Sequence, residues 1–153
     1  TGLSQYEAKE FIDRYFAAFT GIKRYMDDTI ALAKKHGYVE TLFGRRRYIP
    51  ELKASNLQLR NAGERMAINH PVQGTEADII KKAMIVVDEK IRHAWPDDVK
   101  MILQVHDELV FEVTKNRAKE VAPVIQELMR SVVSLDVPIE VSAGIGENWE
   151  EAK

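Results

Sequence analysis

The sequence predicts an α+β fold: helices and a small β-hairpin come first, then a second hairpin, a helix and a strand. Three observations predict it. Apolar residues recur at helical spacing between Ser4 and Lys35, and again between Asn56 and Trp95. Two pairs of short β-prone runs each enclose a tight polar turn, Tyr38–Leu42 with Arg47–Ile49 and Met101–Val105 with Leu109–Val113. A last β-branched run, Val137-Pro138-Ile139-Glu140-Val141, reads as a closing strand. That order gives a small antiparallel sheet packed with helices.

Each element has its own signal. Ser4-Gln5-Tyr6-Glu7 is a capping box, in which hydroxyl and carboxylate satisfy each other's backbone N–H groups. The helix after it places Ala8, Phe11, Ile12, Tyr15, Phe16 and Phe19 on one apolar face, and Thr20-Gly21 breaks it. A second helix runs from about Ile22 to Lys35, with Gly37 as its stop. The first hairpin turns through Phe43-Gly44-Arg45-Arg46, and Pro50 ends its second strand. A helix from about Asn56 to Ile68 is interrupted near Pro71. Thr75 caps the next one, with Glu76 and Asp78 at its positive end. Ile79, Ile80, Ala83, Met84, Val87 and Ile91 then face inward, up to Trp95-Pro96. Met66 and Trp95 also read as core. A helix spans roughly Arg117 to Val133, and Pro138 puts the final strand at an edge or at its first residue. The Gly144-Ile145-Gly146 bend lets Trp149 fold back over the preceding structure.

Composition excludes several classes. The 153 residues are 45% hydrophobic and 30% charged, as expected of a globular domain. There is no cysteine, so disulfides and thiolate metal sites are ruled out. No signal peptide or membrane-length apolar run is present, and the expected setting is cytosolic, without a membrane partner. The net charge of −2 argues against a generally basic nucleic-acid binder. The charge is nevertheless uneven: residues 1–96 carry 16 basic and 12 acidic side chains, and residues 97–153 carry 6 and 12. A basic first part suits nucleic-acid contact, and an acidic second part suits metal chemistry.

The second hairpin carries the chemistry. Gln104-Val105 lead into His106-Asp107-Glu108, so two adjacent carboxylates fall at the turn. Packed together they repel each other, and a divalent cation relieves that repulsion. Mg²⁺ takes one or two carboxylates and completes its shell with water and phosphate oxygens, the arrangement that phosphoryl transfer needs. An acidic pair in a turn is, by itself, more often just a solvated turn.

The surrounding motifs separate these readings. Gln104-Val105-His106-Asp107-Glu108 resembles the catalytic "motif C" of family A DNA polymerases. Further stretches match in order: Gly37-Tyr38-Val39-Glu40-Thr41-Leu42-Phe43-Gly44-Arg45-Arg46-Arg47-Tyr48, Glu64-Arg65-Met66-Ala67-Ile68-Asn69, and Pro71-Val72-Gln73-Gly74-Thr75-Glu76-Ala77-Asp78. Gly144-Ile145-Gly146-Glu147-Asn148-Trp149 resembles that family's C-terminus. The resemblance covers essentially the whole chain, yet only the last portion of the polymerase module. It implies that residues 1–50 are the end of the fingers subdomain and residues 51–153 the C-terminal part of the palm. The strand with the family's other metal-binding aspartate, the nucleotide-gripping fingers helix and the thumb have no counterpart here.

What the resemblance implies follows residue by residue. Asp107 is the family's catalytic aspartate of this motif and a metal ligand. Glu108 is an auxiliary acid beside it, and His106 lies near the primer terminus. Two Mg²⁺ ions are shared with an aspartate outside this chain. Arg65, Asn69 and Gln73, spaced four apart, donate to minor-groove acceptors that every base pair presents, although Pro71 threatens to move Gln73 off that stripe. Gln104 belongs to the same DNA-contacting set. Apart from the resemblance, the basic run Arg45, Arg46 and Arg47 beside Tyr48 suits a grip on template phosphates or a simply solvated hairpin tip, with Lys53 and Arg60 as weaker candidates. The expected partners are primer–template DNA, a deoxynucleoside triphosphate and the upstream polymerase segment. The expected reaction is template-directed nucleotidyl transfer in replication or repair, with the chain inactive on its own. The alternatives are a non-catalytic duplex-binding module and a fragment without function.

Overall fold

A computed structural model of the chain describes Gly2 and residues 4–152. The fold is α+β, as the sequence predicts, and it divides into two compact units, Thr1–Thr75 and Glu76–Lys153. No helix among the described residues is long and apolar enough to cross a membrane.

The first unit opens with α1 (Gln5–Ala18). Ser4 and Glu7 form the predicted capping box. The break before α2 (Thr20–His36) falls at Phe19, where ψ is 61°, and not at Thr20-Gly21. Gly21 is taken into the first turn of α2, where the backbone amides need no intrahelical acceptor. Gly37 ends α2 in the left-handed conformation with φ 80°, and its N–H donates to the Ala33 carbonyl at 2.8 Å. Lys34, Lys35 and His36 occupy the last turn, where positive charge complements the helix dipole.

Strands β1 (Tyr38–Glu40) and β2 (Arg46–Tyr48) pair antiparallel, Tyr38 with Tyr48, Val39 with Arg47 and Glu40 with Arg46. Their loop closes through a Gly44 N–H to Thr41 carbonyl bond, with Gly44 at φ 80°. A 3₁₀ turn, Pro50–Lys53, leads to α3. The Asn56 carboxamide oxygen caps α3, accepting from the N–H groups of Gln58 and Leu59 at 2.8 and 3.2 Å. Ala33, Val39, Ile49, Leu52 and Ala67 form this unit's core, with Met66 packed against it. The face of α1 expected to be apolar exists but is uncovered: Phe11 is 63% and Phe19 53% exposed.

α3 is one helix from Leu57 to Ala94 and passes through Pro71, so the predicted interruption is absent. A proline inside a helix removes one backbone donor and crowds the carbonyls of the preceding turn. Here the neighbouring carbonyls have side-chain donors. Tyr25 Oη donates to the Ile68 carbonyl at 3.0 Å, and the Thr75 hydroxyl donates to that of Pro71. Thr75 is therefore an interior residue of α3 and not a cap.

In the second unit, α3 buries Ile80, Ala83, Val87 and Ile91 and half-buries Ile79 and Met84. Strands β3 (Val99–Val105) and β4 (Glu108–Val113) form an antiparallel hairpin, and α4 (Ala118–Ser131) follows. Val87, Ile91, Trp95, Val99, Val121 and Ile125 make one core, with Met101, Phe111 and Leu128 at its edge. The strand expected over residues 137–141 does not form. β3 and β4 pair with each other, and residues 137–141 join neither sheet. Instead, the Gln126 side chain donates to the Val141 carbonyl. At the glycine bend a Cβ on Gly144 or Gly146 would collide with Glu151 or Ala152, so the tail folds back on the bend itself, and Trp149 is exposed.

Candidate functional site

The tip of the β3–β4 hairpin is a two-residue turn. Val105 pairs with Glu108, leaving His106 and Asp107 as the connecting residues. Two-residue hairpin turns match the twist of their strands when the first residue has positive φ, a place usually held by glycine. His106 takes it here, with φ 53°, and it is the one non-glycine residue with positive φ among those described. The Gln104 side-chain amide donates to the His106 carbonyl, at the turn's centre. Gln104 thus has a structural contact that the sequence reading, which gave it to DNA, did not foresee. A register shift between Met101 and Leu103 leaves Ile102 as a bulge residue, bending β3 below the tip.

His106, Asp107 and Glu108 are all exposed. Their carboxylates are hard oxygen donors, and two of them suit a cation that keeps most of its shell as water or phosphate. No group of three or more possible ligands of the His, Cys, Asp or Glu type occurs among the described residues. The two carboxylates fit part of a magnesium shell, whose other positions water and phosphate oxygens can fill.

The other predicted residues lie in the first unit. Arg65, Asn69 and Gln73 are exposed on one unbroken helix, so their spacing does place them on one face. The three arginines diverge. Arg45 is exposed, and its Nη2 donates to the Gly74 carbonyl at 2.8 Å. Arg46 Nε donates to Glu40 Oε1 at 2.7 Å, and its guanidinium lies 4.6 Å from the centre of the Tyr38 ring. The hydrogen bond it donates to Glu40 and the nearby Tyr38 raise the Arg46 pKa above its ordinary value. Arg47 is exposed on the opposite face, beside buried Val39. Lys53 is exposed, and Arg60 Nη1 lies 3.4 Å from the Ala54 carbonyl it donates to.

The sequence reading missed a clamp that holds the β1–β2 loop on α3. The buried Thr41 hydroxyl accepts from the N–H groups of Phe43 and Arg45 at 3.3 and 3.1 Å. Thr75 Oγ1 accepts from the Leu42 N–H at 2.9 Å. Gly74 lets the two elements meet, since a Cβ there would lie 2.7 Å from Thr41 Cγ2. A glycine at mid-helix beside a threonine was the available signal.

The sequence model described as DNA polymerase family A matches residues 1–151. The chain is 50% identical over 151 residues to DNA polymerase I of Pseudomonas aeruginosa, covering 99% of this chain and 16% of that protein. It is 48% identical over 147 residues to the thermostable DNA polymerase I of Thermus aquaticus, covering 96% of this chain and 17% of the relative. Among solved structures it superimposes with a TM-score of 0.92 and 47% identity on the POL domain of Pol1 from M. smegmatis, in complex with DNA primer-template and dNTP. That match covers 98% of this chain and 26% of the other. The chain therefore spans about a sixth of the length of these curated relatives.

Proposed function

The chain belongs to DNA polymerase family A, and from that membership we propose that it supplies part of a template-directed nucleotidyl-transfer site. The reaction adds a deoxynucleotide to a primer 3′-end and releases pyrophosphate, in DNA replication or repair. The observation that carries this reading is the Gln104–Glu108 hairpin tip, with two carboxylates in a pinned turn, inside a family match over residues 1–151. Residues 1–50 act as the end of the fingers and residues 51–153 as part of the palm.

Asp107, with Glu108 beside it, would hold Mg²⁺, which when bound lowers the pKa of the primer 3′-hydroxyl and offsets charge on the phosphates. The turn fixes where Asp107 stands, because Gln104 holds the His106 carbonyl and positive φ at His106 sets the direction of the next residue. Arg65, Asn69 and Gln73 read the minor groove of the primer–template duplex. Arg and amide donors reach acceptors common to all correct pairs, so they sense pair geometry and not sequence.

The site is completed by an upstream polymerase segment, either a preceding stretch or a second chain. Two observations support this. The described residues offer no cluster of three possible metal ligands. The apolar face of α1 is uncovered, and such a surface marks an interaction site. The test is primer extension by the 153-residue chain with and without the upstream segment of a related polymerase. Activity is expected only in the mixture. Template-dependent extension by the chain alone, or none in a mixture that forms a complex, overturns the reading. Duplex binding without extension would select the non-catalytic module.

A further inference from the structure

The outer face of the β1–β2 hairpin carries aromatic and cationic groups that the fold does not bury. The register puts Tyr38, Glu40, Arg46 and Tyr48 on one face and Val39 with Arg47 on the other. The Val39 side goes into the core. On the outer side, the Tyr38 and Tyr48 ring centres are 5.6 Å apart, edge to face, and the His36 ring lies 5.9 Å from Tyr38. Arg46 covers Tyr38, held there by Glu40. Tyr48, at the end of the row, is 68% exposed.

A cross-strand tyrosine pair steadies a short hairpin. That role needs the contact between the two rings and leaves the outward side of Tyr48 unused. The segment is basic in sequence, residues 34–48 holding Lys34, Lys35, Arg45, Arg46 and Arg47 against a single acid, Glu40, although Lys34 pairs with Glu64, Arg46 with Glu40, and Arg47 lies on the other face. Exposed flat rings, a fixed guanidinium plane and surrounding positive charge match a flat heteroaromatic base on an anionic backbone. A base in a duplex has both faces covered by its neighbours, so the ligand is an unpaired one.

We propose that this face is a stacking platform for single-stranded nucleic acid, with Tyr48 as the principal stacking residue. The identification of that strand as unpaired template rests on the polymerase reading. The stacking itself does not.

The test uses the 153-residue chain and a single-stranded oligonucleotide carrying 2-aminopurine, whose fluorescence falls when the base stacks. A blunt duplex of equal length is the control. Wild type and Tyr48→Phe are expected to quench and bind alike. Tyr48→Leu should lose about 5- to 150-fold in single-strand affinity, the range for one base–aromatic stack, with duplex affinity and salt slope unchanged. Tyr48→Trp keeps an aromatic pair in the hairpin and offers a larger face, so it should tighten single-strand binding even if the leucine variant unfolds. Absence of quenching by wild type overturns the proposal. So do equal losses on single strand and duplex, or unchanged binding in both Tyr48→Leu and Tyr48→Trp. Failure of the polymerase reading would show instead as absent primer extension by the completed enzyme, with this quenching intact.

Discussion

Replacing Gly74 by alanine puts two effects of similar size against each other, and the structure says which wins. Alanine in a helix interior is favoured over glycine by about 0.8–1 kcal/mol. At Gly74 the added methyl would sit 2.7 Å from Thr41 Cγ2 and 3.0 Å from His70 Cε1. Unstrained carbon atoms prefer about 3.5–4 Å, and inserting a methyl into a packed site costs about 1–3 kcal/mol. Thr41 cannot easily turn aside. It is buried, and its hydroxyl accepts from Phe43 and Arg45. The net effect of Gly74→Ala is therefore a loss of about 0–2 kcal/mol. Thr41→Ser removes the offending methyl and keeps the hydroxyl, at roughly 0.8 kcal/mol for the lost methyl. In the double variant the new methyl takes the vacated space. The two changes should then cost less together than their sum, by about 1–2 kcal/mol.

Thermal or urea unfolding of the four proteins measures this cycle, with each kcal/mol shifting Tm by about 2–4 °C in a chain of this size. The residual 3.0 Å approach to His70 sets an upper limit on the rescue. Strict additivity would refute the reasoning, and so would a Gly74→Ala variant more stable than wild type. Either result would mean that the loop and α3 yield to each other without strain.

Four further outcomes are expected. In the completed polymerase, Asp107→Ala should reduce the catalytic rate by about 100-fold or more with primer–template affinity nearly unchanged, and Glu108→Ala should be milder; single-turnover kinetics with a binding titration would expose a reversed order. Arg65→Ala should weaken extension on every template sequence by about 1.5–3 kcal/mol and Gln73→Ala by about 0.5–1.5, both with altered mismatch discrimination; a lower salt slope with unchanged discrimination would indicate phosphate contact alone. At the turn, where His106 has φ 53°, His106→Val should destabilise the chain by about 1–2 kcal/mol relative to His106→Gly, and equal Tm values would contradict this. Hydrogen bonds from the Ser4 hydroxyl and backbone hold Glu7 below its ordinary pKa, so its capping contribution is present above the unfolded-state value and lost as pH falls through the folded one; Ser4→Ala should flatten the acid-side loss of α1 helicity seen by circular dichroism.

How much of this was legible follows from which interactions are local. The capping box, the Gly37 stop and both hairpins lie within a few residues of their own signals, and all of them form. The inward face of α3 from Ile80 to Ile91 follows from helical spacing alone. The misses are distant in sequence. Pro71 predicts a break until Tyr25 is seen donating to the Ile68 carbonyl, 43 residues away. The clamp of the β1–β2 loop on α3 likewise rests on distant partners, with Arg45 donating to the Gly74 carbonyl 29 residues on. Propensity describes a residue against water, and both results depend on a partner that local pattern cannot name.

The candidate site shows the same division. A turn flanked by β-prone runs placed Asp107 and Glu108 at a tip, but nothing local required His106 to take the left-handed conformation. That follows from the two-residue length of the loop, set by the Val105–Glu108 pairing. The unbroken α3 is the consequence that matters most for function. With a break at Pro71, Gln73 would leave the line of Arg65 and Asn69. Because the helix continues, the three stand one turn apart on one rigid element, at about 1.5 Å of rise per residue. Tyr25 and Thr75, which donate to the Ile68 and Pro71 carbonyls, touch this stretch of the helix without belonging to the stripe. The pattern i, i+4, i+8 states only a possibility. The continuous helix turns it into a surface.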